Sequence, residues 1–356
     1  LVALLRDLLD QAWTLLGLAL GWVLLEGSAR DIVGKLIGIT LLIWILILGV
    51  NIRTLNIPQL KDVTTNDWTL GPDLDPFLYL RHAYEIMDGK LENPDIMRQA
   101  PLGVQNYALK NMMPISLVFM QKIISLFGDF NLTYAAIISP VIFFLISTIV
   151  FFLFVKAIFS IKYSKNLSSA IAIIASVIYT LLPQMLHRTT AGIPEIESLG
   201  MVWFWLAFYF FTLAWKSEDK KKQIMFGVLA GLCTGLMSWT WGGYRYIYMT
   251  ISLTTLIFFL FEKDKKKNWL IFSSWVIPAI ILEFLRLESL SAIIFRVSDA
   301  GFAIGNFGIL IVDNLLSKIK IKEKLNKKIN LPESVWSIII SVLIGILVLS
   351  IISPGF

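Results

Sequence analysis

One short segment could supply carboxylate ligands beside the start of a helix. In the stretch GPDLDPFLYL, Asp73 and Asp75 precede Pro76, and proline favours the first turn of a helix. Asp75 is then predicted to be the N-cap of this helix, with Gly89 just past its C-terminal end. A cap uses one carboxylate whereas a cation site uses several, so the Asp-x-Asp pair leaves both interpretations open.

A second segment, RTTAGIPEIES, repeats this arrangement with glutamates. Pro194 is predicted to start a helix with Glu195 and Glu197 in its first turn, where acids interact favourably with the helix N-terminus. Residues two apart on a helix point about 200° away from each other. Only one glutamate would then face a bound ion directly, unless the turn is extended. Arg188 adds a donor suited to a phosphate or to orienting a carboxylate.

Together the two segments can supply two or three oxygen ligands to one divalent cation, from Asp75, Glu195 and Glu197. The chain has one cysteine and two histidines, which argues against a zinc site built from nitrogen and sulfur ligands. An all-oxygen site suits Mg²⁺ or Mn²⁺. A cation held beside Arg188 suits the phosphate or pyrophosphate of a lipid carrier.

A third stretch, SWTWGGYRY, contains two glycines that allow a tight turn and the close approach of a ligand. The alternative is an aromatic belt at the membrane interface, to which its tryptophans and tyrosines would belong in any case.

These segments must be positioned by a chain that is mostly apolar. The 356 residues are 57% hydrophobic and 16% charged, whereas a soluble domain is about a quarter charged. The apolar blocks are about 16 to 25 residues long, enough to cross roughly 30 Å of hydrocarbon. The sequence therefore predicts an all-α, polytopic transmembrane helix bundle of about nine spans rather than a soluble helical protein. The predicted spans are 36–52, 134–157, 168–185, 198–215, 223–240, 246–261, 269–285, 300–316 and 334–353.

Lysine predicts the orientation of these spans. Four connecting segments on one side of the membrane carry seventeen lysines and no arginine, and such segments stay in the cytoplasm. The long loop 53–133, the loop containing Arg188 and the WGGY turn then face outside. These lysines account for the net charge of +6, so no nucleic-acid partner is expected.

The two ends of the chain differ from the membrane domain predicted for 36–356. Residues 1–35 contain eleven leucines, one isoleucine and no asparagine, whereas the rest is rich in Ile, Lys and Asn. Either this segment is an amphipathic or partly inserted helix, or it is not native to the rest, which the composition favours. At the other end, SPGF is typical of the entrance to a loop, so we expect a truncated chain.

The segments LKDVTTNDWTLGPDLDPFLYLRHA, RTTAGIPEIES and SWTWGGYRY, in this order and on the outer face, together resemble the catalytic subunit of oligosaccharyltransferase, in particular its archaeal AglB type. The resemblance covers about residues 45 to 356. It implies a multi-pass cell-membrane enzyme of the glycosyltransferase C superfamily, with its active site on the outer face. Such an enzyme transfers an oligosaccharide from a dolichyl (polyprenyl) phosphate or pyrophosphate to asparagine in Asn-x-Ser/Thr of an acceptor protein.

The resemblance also implies roles for individual residues. Asp75 matches a catalytic metal ligand in the first outer loop. Glu195 and Glu197 match a second acidic pair of metal ligands, where Asp-x-Asp or Asp-x-His is more usual, and Arg188 matches a catalytic, substrate-binding arginine just before that pair. Mg²⁺ or Mn²⁺ would be the cofactor. The turn residues implied to contact substrate are Trp241, Gly242, Gly243 and Tyr244.

Two features of that family are missing from the chain: a glutamate motif in a later outer loop, and a C-terminal soluble domain with the WWDYG motif. The resemblance therefore implies the membrane half of the enzyme, inactive on its own. Two alternatives stay open. One is another lipid-phosphate-sugar glycosyltransferase, such as a protein O-mannosyltransferase. The other is a transporter, although transporters tend to place their charged residues in mid-membrane.

Overall fold

The computed structural model of the chain describes residues 28–261, 265–289, 292–296, 298–318 and 332–352. Most of the atypical N-terminal segment and the SPGF end lie outside these residues. The described secondary structure is helical apart from two isolated β-bridges, Lys61 with Trp68 and Asp95 with Val104. The α-helices are α1 Ser28–Thr54, α2 Asp75–Asp88, α3 Met112–Ile124, α4 Leu132–Phe159, α5 Lys165–Leu181, α6 Pro183–Thr189, α7 Ile196–Lys216, α8 Lys220–Ser238, α9 Tyr244–Phe261, α10 Lys265–Leu287, α11 Ser298–Lys318 and α12 Glu333–Ile352.

The prediction of an all-α polytopic membrane protein is confirmed, but the count of nine spans is not. Six helices of the described part are long and apolar enough to cross a membrane: α1, α4, α7, α9, α10 and α11. A seventh span is possible if α5 and α6, which meet at a 64° bend, count as one. The predicted fifth and ninth spans correspond to α8 and α12, which do not meet the same criterion.

Helix α8 is not apolar enough to meet this criterion because glycines take the place of larger apolar side chains. These glycines allow close packing against a neighbouring helix. Helix α8 begins with three lysines and carries glycines at four-residue spacing, Gly227, Gly231 and Gly235. A Cβ added at Gly231 would lie 2.2 Å from the carbonyl oxygen of Trp275 in α10. Small residues at this spacing let two helices approach closely inside a membrane.

The predicted third span, 168–185, is broken by a proline. Helix α5 ends at Leu181, and α6 starts at Pro183. Proline lacks an N–H and its ring clashes with the preceding turn, so the helix cannot continue straight through this position. The chain therefore changes direction by 64° just before α6, whose last turn contains Arg188.

The long loop predicted at 53–133 is present between the end of α1 and the start of α4. It contains α2, α3 and two single 3₁₀ turns, Ile57–Gln59 and Ala108–Lys110. Helices α2, α3 and α4 share one apolar core, in which Ala83, Met113 and Leu117 are buried. This core anchors the start of α2, where Asp75 lies.

The chain divides into two compact units. Among the described residues, the first comprises 28–212 and 239–241, and it holds all four predicted charged site residues. The second comprises 213–238 and the described residues after 241. In the first unit, α1, α4 and α5 pack around a second apolar cluster that includes Ile45, Phe152 and Ile173.

Candidate functional site

The segment before the glutamates is fastened to the end of α1. The Ala191 N–H donates to the Arg53 carbonyl oxygen at 2.9 Å, and the Asn56 side chain donates from Nδ2 to the Ala191 carbonyl oxygen at 2.8 Å. Both backbone groups of Ala191 are therefore paired with one helix end. This pairing fixes the position of the backbone shortly before Glu195.

Gly192 then joins this segment to the first loop. Its N–H donates to the carbonyl oxygen of Ile137, and its own carbonyl accepts from the Gly71 N–H at 2.8 Å. Gly192 has φ +83°, and an added Cβ would lie 2.5 Å from Leu60 Cδ1. Only glycine fits such a conformation in such a close approach. Because Gly71 lies two residues before Asp73, this contact brings the two acidic segments together.

The start of α2 differs from the prediction in one respect. Asp75 is the first residue of the helix and Leu74 is its N-cap, so Asp75 is not the cap. Gly89 does end the helix in the left-handed conformation, as predicted, with φ 67°. Asp75 is exposed, which leaves its carboxylate accessible to a ligand.

The two glutamates face the same arginine. Helix α7 begins at Ile196, so Glu195 precedes it instead of lying in its first turn. Its carbonyl accepts from the Ser198 N–H, which places Glu195 at the helix boundary. Arg188 Nη1 lies 3.0 Å from Glu195 Oε1, and Arg188 Nε lies 3.9 Å from Glu197 Oε1. The prediction that Pro194 starts the helix is therefore wrong, whereas Glu197 does lie in the first turn as predicted. Because Glu195 precedes the helix, both glutamates can face Arg188.

Asp73 joins this group, although it was not among the predicted ligands. Burial, the nearby charge of Glu197 and a hydrogen bond with Asp73 raise the pKa of Glu195 to about 7, and Arg188 offsets this only in part. A carboxyl group that retains a proton near neutral pH can donate it to a neighbouring carboxylate. Asp73 of the Asp-x-Asp pair therefore belongs to the group formed by Arg188, Glu195 and Glu197.

Tyr79 is a further residue of the site that the sequence did not indicate. It is buried in α2, and burial, followed by the charges of Asp75, Glu195 and Glu197, raises its pKa above the usual range. The phenol therefore stays protonated and can act as a donor among three carboxylates. Its position one turn after Asp75 was the only signal in the sequence, and an aromatic residue on a helix is more often part of a core.

This group contains more carboxylate side chains than positively charged side chains. Glu195 and Glu197 lie beside Arg188, Asp73 forms a hydrogen bond with Glu195, and Glu197 Oε2 is buried without a hydrogen-bond partner. This surplus of negative charge fits a divalent cation with oxygen ligands. Within the described ranges, however, no three His, Cys, Asp or Glu side chains lie close enough to hold a metal ion. The predicted set of Asp75, Glu195 and Glu197 is therefore not assembled as a metal site in this structure.

Comparison with known proteins identifies the family. The sequence profile described as oligosaccharyl transferase STT3, N-terminal, matches residues 45–354. The chain belongs to this family. No curated protein matches it.

Solved structures of the Archaeoglobus fulgidus oligosaccharyltransferase have a similar fold. AglB in complex with an inhibitory peptide and a dolichol-phosphate is 19% identical with a TM-score of 0.65, covering 87% of this chain and 37% of that one. The complex with Zn and sulfate is 19% identical with a TM-score of 0.64, covering 88% and 39%. The form tethered to an acceptor peptide containing the NVT sequon is 18% identical with a TM-score of 0.65, covering 88% and 38%. The chain thus spans less than two fifths of these proteins.

In this STT3-family chain, the WGGY segment forms the predicted turn between α8 and α9. The N–H groups of Arg245 and Tyr246 donate to the carbonyls of Gly242 and Gly243. An added Cβ at Gly242 would meet nothing within 4 Å, so packing does not require glycine there. Trp241 belongs to the first unit and the other three residues of the motif to the second. Their role in substrate binding remains a prediction.

Asp95 holds the first loop of the STT3 chain onto α2. The Arg81 guanidinium donates to both oxygens of Asp95, at 3.1 and 2.5 Å, and the Met97 N–H donates to Oδ1 at 3.1 Å. The side chain is 2% exposed. The hydrogen bond from Arg81 is the main reason that the pKa of Asp95 falls to about 2. This contact ties the segment around Asp95 to the helix that begins with Asp75.

We expect Asp95→Asn to loosen this loop by about 1–3 kcal/mol at neutral pH, since it removes a charged hydrogen-bond acceptor. The folded pKa of about 2 lies below the unfolded value of about 4. The contribution of the carboxylate is therefore fully present above about pH 4 and is lost as the pH falls through about 2. Protection factors of residues 93–105, which correct each amide for its intrinsic exchange rate, should be lower at about pH 2 than at neutral pH in the wild type and should change less in the variant.

Asp62→Asn is the matched control for Asp95→Asn. Hydrogen bonds from Thr64 and Thr65 also lower the pKa of Asp62 to about 2, but this residue is fully exposed. Its replacement should leave exchange of residues 93–105 unchanged. Equal exchange in the wild type and in Asp95→Asn would contradict the anchoring role of Asp95.

Proposed function

We propose that this chain is the membrane part of an oligosaccharyltransferase that glycosylates asparagine in Asn-x-Ser/Thr of acceptor proteins. The donor is an oligosaccharide on a dolichyl (polyprenyl) phosphate or pyrophosphate. The observation that carries the proposal is the grouping of Arg188 with Glu195 and Glu197, beside the Asp-x-Asp segment at the start of α2. Family membership and the dolichol-phosphate and sequon peptide in the related structures support it.

Arg188 is suited to bind the phosphate of the donor. Its side chain is 40% exposed, whereas that of Glu195 is 4% exposed. The glutamates hold the guanidinium from the buried side, and the N–H groups that remain accessible can donate to phosphate oxygens. Arg188 would thus recognise the leaving group while Glu195 and Glu197 fix its orientation.

The acids are suited to hold a divalent cation, Mg²⁺ or Mn²⁺. Asp75, Glu195 and Glu197 would be the ligands, with Asp73 beside Glu195. When bound, such an ion would neutralise charge that develops on the leaving phosphate. Asp75 is exposed and can also accept a hydrogen bond from the acceptor amide, which would orient this poor nucleophile. The protonated phenol of Tyr79 can donate a hydrogen bond to the carboxylate that lacks a hydrogen-bond partner.

The proposal is tested by transfer of a lipid-linked oligosaccharide to a fluorescent peptide containing Asn-x-Thr, using the full-length protein in membranes. We expect product with this peptide, none with the Gln-x-Thr peptide, and loss of product when EDTA removes divalent cations. Transfer to the Gln-x-Thr peptide would instead indicate an O-glycosyltransferase acting on the hydroxyl. Movement of a solute without modification of either peptide would indicate a transporter.

We also propose that the site faces the outer side of the cell membrane, as the lysine distribution predicts. Cysteine introduced at Val63, which is 99% exposed in the first loop, should react with an impermeant maleimide added outside. Cysteine at Lys221 or Lys266 should react only after permeabilisation. The native Cys233 is buried and should contribute little background. The reverse labelling pattern would overturn the orientation.

A further inference from the structure

A basic pocket lies in the first unit, at the ends of three neighbouring helices. It has a volume of about 210 Å³ and is lined by Lys35 of α1, Lys156 of α4 and Lys165 of α5. Lys156 is in the last turn of α4, and Lys165 is the first residue of α5. Because a short turn joins these two helices, all three ammonium groups lie at the same end of the helix cluster, on the lysine-rich side of the membrane.

The three lysines line the same pocket. Lys35 and Lys165 are near enough to act electrostatically on Lys156. In the described part of the chain, none of the three forms an ion pair with a carboxylate. Three like charges around one cavity repel each other, and an anion between them would offset that repulsion.

An apolar surface continues from the lysines along α1. Ile39 and Leu42 of α1 and Phe152 of α4 line the pocket. Beyond them, α1 exposes Ile43 and Ile47, which are 51% and 49% exposed. Residues three and four apart share one face of a helix, so this surface runs on into the hydrocarbon region. A ligand that matches both parts has an anionic head and an apolar tail.

We propose that this pocket binds the phosphate headgroup of an anionic phospholipid from the leaflet on the lysine-rich side. The three lysines contact the phosphate, and an acyl chain lies along the exposed face of α1. Basic pockets between transmembrane helices on the cytoplasmic side are suited to such headgroups. This site is separate from the acidic group around Arg188, and it does not depend on the transferase activity.

The test is native mass spectrometry of the full chain, titrated with dioctanoyl phosphatidylglycerol or dioctanoyl phosphatidylcholine. We expect the anionic lipid to bind at least about tenfold more tightly, and each lysine replaced by glutamine to weaken it about fivefold. The variant K35Q/K156Q/K165Q should lose most of the preference. The matched control K220Q/K221Q/K222Q removes the same charge from the exposed start of α8 and should bind like the wild type.

Several outcomes would overturn the proposal. Equal binding of the two lipids, or the same loss in both triple variants, would indicate general attraction to a basic surface. Competition by inorganic phosphate at concentrations similar to those of the lipid would identify a soluble phosphate as the ligand. If the triple variant does not fold, Lys35→Gln and Lys165→Gln replace exposed side chains one at a time, and unchanged binding in both would also overturn it.

Discussion

Replacing Asp75 with asparagine is expected to reduce oligosaccharide transfer by at least about a hundredfold, the usual loss when one electrostatic element of a catalytic site is removed. Asparagine keeps the size of the side chain but removes the charge that would hold a cation and orient the acceptor amide. Asp75 is the exposed first residue of α2, so the fold should be retained. Peptide transfer at saturating donor and peptide would show the loss in kcat, and thermal unfolding would show unchanged stability.

Asp88→Asn is the control for this prediction. Asp88 is the last residue of the same helix and is also exposed, but it lies at the opposite end from the acidic group. Its replacement should leave transfer within about twofold of the wild type, because a distant exposed charge is largely screened at physiological salt. An Asp75→Asn protein with more than a tenth of the wild-type rate would contradict the role of Asp75.

Replacing Arg53 with methionine is expected to cost about 2–4 kcal/mol of stability, because hydrogen bonds from a buried charged donor are lost. Arg53 is fully buried. It donates from Nε to Thr189 Oγ1 at 2.7 Å and from Nη2 to the Thr180 carbonyl oxygen at 3.1 Å. Its guanidinium carbon lies 3.5 Å from the centre of the Phe144 ring.

The position of these acceptors explains the size of the effect. The Thr180 carbonyl is in the last turn of α5, where a continuous helix would pair it with the N–H of Gln184, but the helix ends at Leu181 before Pro183 and leaves this carbonyl without an intrahelical donor. Arg53 supplies the missing donor and places a positive charge at a helix C-terminus, where it is favourable. Methionine fills much of the volume but leaves the carbonyl and the Thr189 hydroxyl without this donor.

Thermal unfolding of the purified protein measures this effect against two variants. Thr189→Val removes the hydrogen bond from Arg53 and the one that the Thr189 hydroxyl donates to the Met185 carbonyl, and it should cost about 1–3 kcal/mol because Arg53 Nε is left without an acceptor. Lys122→Met makes a similar change at an exposed position of α3 and should change stability by less than about 0.5 kcal/mol. If Arg53→Met unfolds at the wild-type temperature, the hydrophobic replacement compensates for the lost bonds, and Arg53 is not needed to hold the break between α5 and α6.

The architecture could be predicted from the sequence because a membrane leaves few choices. Long apolar blocks in hydrocarbon must satisfy their own backbone groups, which favours helices throughout. The long first loop, the end of α2 at Gly89 and the turn at WGGY followed from local composition in the same way. The number of spans did not, because α8 uses glycines to pack closely and the third block is bent by Pro183. Hydropathy alone indicates neither the close packing of α8 nor the bend at Pro183.

The candidate site was predictable in its residue types but not in its geometry. Carboxylates beside two prolines indicated Asp75, Glu195 and Glu197, and the same stretch indicated Arg188. Only the tertiary structure placed Glu195 outside the helix, turned both glutamates towards Arg188 and added Asp73 to the group. These features depend on Gly192 approaching Gly71 across more than a hundred residues of chain. Local propensity acts over a few residues. A long-range contact of this kind forms because buried backbone N–H and carbonyl groups must be paired, and the packing of the helices determines which of them lie close enough to pair.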